Sequence, residues 1–190
     1  MAAALLLGAV ALAVLSSVSR SSGSRAQSGL SLPQPTGSVP TGWVSATTAS
    51  RSATLFYPAG WRTIPGDRGT VSAAQRDRHG LYAAYLNATP RQGTEVLAGW
   101  AHFRTTRNRG EGDRNVRTIA AAENVRFAHA SGSCVVDDYL SHIGGNPYRE
   151  LACIVAGRHH TDVFVGATLR RDWSRLGGTI ERAASALLER

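Results

Sequence analysis

Lysine is missing from this chain: all 21 basic residues are arginine. With 20 glycines and abundant alanine, that pattern reflects coding bias in a GC-rich genome and weakens any functional reading of the net charge of +8. A pI near 10.7 permits contact with nucleic acid or an anionic envelope surface, but the arginines are scattered. Their densest cluster, Arg104, Arg107, Arg109, Arg114 and Arg117, is broken by Glu111 and Asp113 and reads as a solvated loop. Cysteine is nearly absent too. Two residues, with no C-x-x-C, argue against a redox motif and are too few for a structural zinc site. No G-x-S-x-G, P-loop or H-E-x-x-H occurs, so no familiar catalytic signature is present. No cofactor is expected.

Charge is also missing from Ala2–Val18, AAALLLGAVALAVLSSV. The run is short for a membrane span, which takes about 20 residues, and long enough for the core of a signal peptide. Arg20 and Arg25 follow it and no basic residue precedes it, which by the positive-inside rule would keep the rest of the chain in the cytoplasm. A disulfide is not expected there. The cysteine pair decides for export, with a basic segment missing ahead of the first methionine. Residues 1–18 are thus a signal or transmembrane segment, residues 19–42 a Ser/Gly/Pro-rich tether, and residues 43–190 a globular domain.

What is present centres on Gly132–Arg170. Two runs rich in Val, Ile, Tyr and Leu flank Gly144, Gly145, Asn146 and Pro147, which are turn residues. A hairpin in this register sets Cys134 opposite Cys153, Val136 opposite Leu151, Asp138 opposite Arg149 and Tyr139 opposite Tyr148. It predicts one cross-strand disulfide, worth about 3 kcal/mol in the chain-entropy model; two buried thiols are the alternative. The same register puts Asp137 against Glu150. Like charges so placed need relief, and solvation with a neighbouring arginine is the expected source, ahead of a bound cation.

Around this hairpin the pattern predicts strands at Ser52–Tyr57, Thr70–Ala74, Leu81–Asn87, Val116–Ala122, Asn124–Ala130 and Asp162–Leu169. A helix is capped at Thr94, with Val96, Leu97, Trp100 and Phe103 on one face, and polar sequence then runs to about Asn115. A last helix starts at Arg171, with Trp173, Leu176, Ile180, Ala184 and Leu187 on its face; Gly177 and Gly178 would let it lie close to the sheet. The class is α+β, an antiparallel sheet of about six to seven strands with helices packed on it.

Three stretches, LFYPAGW (Leu55–Trp61), LYAAYLNATP (Leu81–Pro90) and YRELACIVAGRHHTDVFVGATL (Tyr148–Leu169) ahead of a final helix, carry a resemblance. From about Trp43 to Arg190 the chain resembles the superfamily of the extrinsic oxygen-evolving-complex protein PsbP. That group also holds a Ran-binding nuclear import factor and actinobacterial envelope proteins of the LpqN type. The resemblance implies an α/β/α sandwich and carries over no catalytic residue. In layout alone, with an apolar anchor, a tether and a small outer domain, the chain is also similar to the outer part of actinobacterial membrane Ser/Thr kinases.

Four residues form a possible polar site: Asp137, Glu150, His159 and His160. The two histidines sit with Asp162 in a turn, where one loop offers too few ligands for a closed metal site. Tyr139, Tyr148 and Trp100 suit either a ligand groove or the core. The leading expectation is a non-enzymatic, extracytoplasmic, membrane-tethered domain that binds an envelope protein or polymer. Its rivals are an envelope hydrolase using Asp137, Glu150 or His159, and a binder of anionic polymers through Arg104–Arg117.

Overall fold

The computed structural model describes residues 28–35, 39–80 and 82–190. The apolar run of residues 1–18 and its anchoring role lie outside the described residues. No helix among the described residues is long and apolar enough to cross a membrane.

Eleven strands, two α-helices and a single 3-10 turn at Arg170–Asp172 are the regular elements of the described residues. The strands are β1 (Ser28–Gly29), β2 (Trp43–Thr47), β3 (Ala53–Pro58), β4 (Arg62–Ile64), β5 (Val71–Arg76), β6 (Tyr82–Pro90), β7 (Arg114–Arg126), β8 (Ser131–Leu140), β9 (Pro147–Ala156), β10 (Thr161–Leu169) and β11 (Leu188–Glu189). The helices are α1 (Trp100–Gly110) and α2 (Trp173–Ser185). The main sheet has eight strands in the order β1-β7-β8-β9-β10-β6-β5-β4, and a smaller one has the order β11-β3-β2. Every pairing is antiparallel except β1 with β7. The α+β expectation holds. The main sheet exceeds the expected six to seven strands by the two-residue β1.

The main sheet is covered on both faces. On one, α2 and the small sheet pack Leu176, Ile180, Leu187, Leu55 and Tyr57 against Leu86, Val136, Leu151 and Phe164. On the other, α1 sets Trp100 against Val135, Ala152, Ile154, Val163 and Val165. The result is an α/β/α sandwich. Strand alternation assigns each side chain to a layer: odd-numbered residues of β8 face α1 and even-numbered ones face α2.

The hairpin register is as the sequence indicates at every predicted pair, Cys134 with Cys153 included. Those two cysteines form a disulfide, buried in the α2 layer.

Several expectations need correction. Helix α1 starts at Trp100, not Thr94, because Gly99 adopts φ 72°, a left-handed turn that no helix can pass through. The helix then runs to Gly110, so three arginines of the expected solvated loop are helical, and Arg114 and Arg117 belong to β7. The two short strands expected at Val116–Ala122 and Asn124–Ala130 are one 13-residue strand that starts at Arg114 and already ends at Arg126. Two of its three register shifts accompany Asn115 and Asn124, both at positive φ, which asparagine tolerates; the apparent break is a bulge. Helix α2 ends at Ser185, and the chain turns so that Leu188–Glu189 pairs with β3. Close approach of α2 to the sheet depends on Gly166 of β10, where a Cβ would meet Ile180 Cγ2 at 2.5 Å. Gly178 faces open space and Gly177 abuts Trp173 of its own helix. Within the expected tether, Ser28–Gly29 already pairs with β7, and Leu30 and Leu32 lie against the core.

Candidate functional site

Helix α1 is poor in apolar residues, and the face it buries includes Thr105 and Asn108 as well as Trp100. It is held by polar contacts to the sheet. The Trp100 indole N–H donates to the Ala152 carbonyl at 3.0 Å, and Arg104 Nε donates to Glu150 Oε1 at 2.7 Å. Glu150 Oε2 in turn accepts from the Tyr139 hydroxyl at 3.3 Å. The Tyr139 and Tyr148 rings stack with centroids 6.0 Å apart. Tyr85 of β6 joins through a hydrogen bond to Tyr139, and burial with the nearby Glu150 charge pushes both phenols far up.

Asp137 and Glu150 are neighbours, as the register predicts, yet each is only 1% exposed. Solvent therefore does not relieve them. Arg104 neutralises Glu150, burial pulling the guanidinium pKa down while the carboxylate raises it by more. Asp137 lacks such a partner. Thr118 gives its carboxyl weak relief, but neither oxygen closes a full hydrogen bond. Burial, reinforced by Glu150, pushes its pKa up to about 7, so it holds a proton through the acid range.

Beside α1 this face opens into two adjoining hollows of about 340 and 550 Å³ that share Tyr85, Arg104 and Glu111. Together they form a groove along the helix. Four of the five tyrosines, Tyr82, Tyr85, Tyr139 and Tyr148, line the larger hollow. Asn108 lines it too, 1% exposed and with its amide Nδ2 unpartnered. A buried donor without an acceptor costs about 1–3 kcal/mol. Three carboxylates of the wall are already engaged: Glu150 with Arg104, Glu111 with Arg107 at 2.6 Å, and Asp113 with His142 at 3.2 Å.

His159 and His160 lie elsewhere. They are exposed in the β9–β10 turn and line a small hollow with Ser50 and Ser52. Six residue steps along β9 take Glu150 to Ala156 at that turn, roughly 20 Å. The structure does not bring the four candidate residues together. Under the turn Ser52 donates to Asp162 Oδ1 at 2.7 Å, and buried Glu189 is pushed up to about 9 by desolvation and by Asp162. Among the described residues no cluster of His, Cys, Asp or Glu could hold a metal ion.

The arginine segment is also largely engaged. Besides Arg104 and Arg107, Arg109 donates to the Val116 carbonyl at 2.9 Å, and Arg117 donates to Asp138 at 2.9 Å. Asp138 also takes two bonds from Arg149, at 2.7 and 3.0 Å. Burial pushes the Asp138 carboxyl up, but the bonds and charges of Arg149 and Arg117 more than offset it and hold the group below the usual carboxylate range.

Tyr82, Tyr85 and Asn108 escape sequence reasoning. The tyrosines look like ordinary strand residues, and only the ladder connects them: Tyr139 pairs with Tyr148, Tyr148 with Leu169, and Tyr85 with Ala167 two residues along β10.

No family model and no curated protein matches the chain. Among solved structures, the solution structure of cyanobacterial PsbP (CyanoP) from Synechocystis sp. PCC 6803 superposes with a TM-score of 0.56 at 18% identity, covering 78% of this chain and 93% of that one. The fold is PsbP-like. LpqN of Mycobacterium tuberculosis, described as involved in cell envelope biogenesis, gives a TM-score of 0.46 at 13% identity, over 76% of this chain and 88% of that one. A Bacteroides thetaiotaomicron protein gives 0.49 at 10% identity, over 77% of this chain and 48% of that one. Within the PsbP-like fold, the groove beside α1 is the candidate site.

Proposed function

We propose that this protein is a non-enzymatic, extracytoplasmic binding domain, held at the membrane by its N-terminal segment, that takes its ligand in the groove beside α1. The observation that carries the reading is the wall of that groove: four tyrosines converge on it while its Glu150 and Glu111 carboxylates are tied to Arg104 and Arg107 and its Asp113 bonds to His142. Such a surface is a pre-formed, mostly rigid site with a few placed polar groups, as small-ligand pockets are. Glu150 acts structurally, fixing α1 on the sheet. The oxidised Cys134–Cys153 pair supports an oxidising compartment.

Two measurements test the reading. Intact mass of protein from its native cells, with and without alkylation, is expected to show no free thiol. A fragment screen followed by amide chemical shifts is expected to give changes centred on Tyr85, Tyr139 and Tyr148. Two free thiols in the native protein would overturn export. Hydrolysis of a peptide or polymer bond, lost on changing one polar groove residue, would overturn the non-enzymatic part.

A further inference from the structure

The groove also limits the chemistry of what can fill it. Resting on the reading above, we propose that its ligand is a neutral, linear oligosaccharide. Three observations converge. First, Glu150 and Glu111 are paired with Arg104 and Arg107, and Asp113 bonds to His142, so none of these groups is left free to answer a charge on the ligand. Second, the strands under the groove, β6, β9 and β10, are interior members of the sheet whose ladders are occupied on both sides. A peptide therefore has no free strand edge to extend, and recognition falls to side chains. A saccharide suits that situation, because each ring carries its own hydroxyl donors and acceptors.

Third, the side chains offered are the complementary ones. A tyrosine ring has an apolar face of negative potential, and the C–H face of a pyranose packs against it. Tyr148 and Tyr85, half-buried, and exposed Tyr82 are spread along the wall. The unpartnered Asn108 amide requires an acceptor, which a hydroxyl or ring oxygen supplies. The continuity of the two hollows through Tyr85, Arg104 and Glu111 favours a chain of several rings over one.

The test is a calorimetric titration of the full chain with cellotriose, maltotriose and chitotriose, repeated on Tyr148→Ala, Tyr82→Ala and Asn108→Ala. His159→Ala at the far end of the sheet is the control. At least one trisaccharide is expected to bind, about tenfold or more weaker in Tyr148→Ala and Tyr82→Ala, weaker in Asn108→Ala and unchanged in His159→Ala. Circular dichroism of each variant separates lost binding from lost fold, and Tyr82, on the exposed rim, is the change least able to unfold the domain. Binding that ignores Tyr82 and Tyr148 overturns the proposal. Silence from all three sugars, with groove shifts from non-saccharide fragments, overturns the ligand class and leaves the groove standing. Silence from every compound removes both.

Discussion

Arg104 of α1 and Glu150 of β9 meet at 2.7 Å, with the carboxylate side chain 1% exposed and the guanidinium side chain 15% exposed. This contact fastens a helix that has little apolar face of its own. Removing one partner strands a buried charge, which costs about 3–5 kcal/mol. Arg104→Ala and Glu150→Gln are each expected to lower the urea midpoint accordingly. The double variant Arg104→Met/Glu150→Leu is expected to recover much of that loss, a positive coupling in the cycle. Additive losses would show that the pair does not position α1.

Asp137 gives the domain a pH dependence of definite sign. Its folded pKa, about 7, lies above the ordinary carboxyl value, so the folded state binds more protons than the unfolded one between about pH 4 and 7. Stability from this group is full at the acid end and falls as pH rises through that window. Glu189, pushed up to about 9, prolongs the decline. Denaturant unfolding at pH 4.5, 6 and 8 is expected to show the fall, and Asp137→Asn to remove the part below pH 7. At pH 8 Asp137→Asn is expected to be the more stable protein. An unaltered slope would contradict the burial argument.

The Cys134–Cys153 bond lies in the core, with the two residues 1% and 0% exposed. Reductant can reach it only when the sheet opens. The rate of thiol release in dithiothreitol is therefore expected to track the unfolding rate across urea concentrations. Replacing both cysteines by alanine is expected to remove about 3 kcal/mol, read from the unfolding midpoint. Rapid reduction in native buffer would show that the sheet breathes locally at this point.

Gly166 sets how near α2 can come to the sheet. A methyl group there would sit 2.5 Å from Ile180 Cγ2 and 3.0 Å from Leu86 Cδ2. Gly166→Ala is expected to destabilise by about 1–3 kcal/mol through overpacking. Gly178→Ala, in open space on α2, is expected to stabilise by a few tenths to about 1 kcal/mol. The two melting temperatures should move in opposite directions.

The hairpin was legible because two independent signals coincide: turn residues at 144–147 and cysteines equidistant from them. Alternation then placed Asp137 beside Glu150 correctly. What periodicity could not supply was the third dimension. That Arg104 arrives over Glu150 depends on where α1 begins, which Gly99 decides. That Asp137 gains no solvent depends on the helix lying above it. The β7 bulges hid in asparagines that read as strand ends, and Tyr82 and Tyr85 joined the groove only once β10 had been laid between β6 and β9.

The disulfide bears on mechanics as well as on thermodynamics. It ties β8 to β9 far from their turn, closing off a stretch with a sequence separation of 19. Tension on the two ends of the domain passes through the sulfur bridge and bypasses the hairpin it encloses. When the domain gives way under load, that segment cannot pay out, and the extended chain falls short by roughly 60–70 Å. Under load the domain would thus keep one loop of its sheet closed after the rest had yielded.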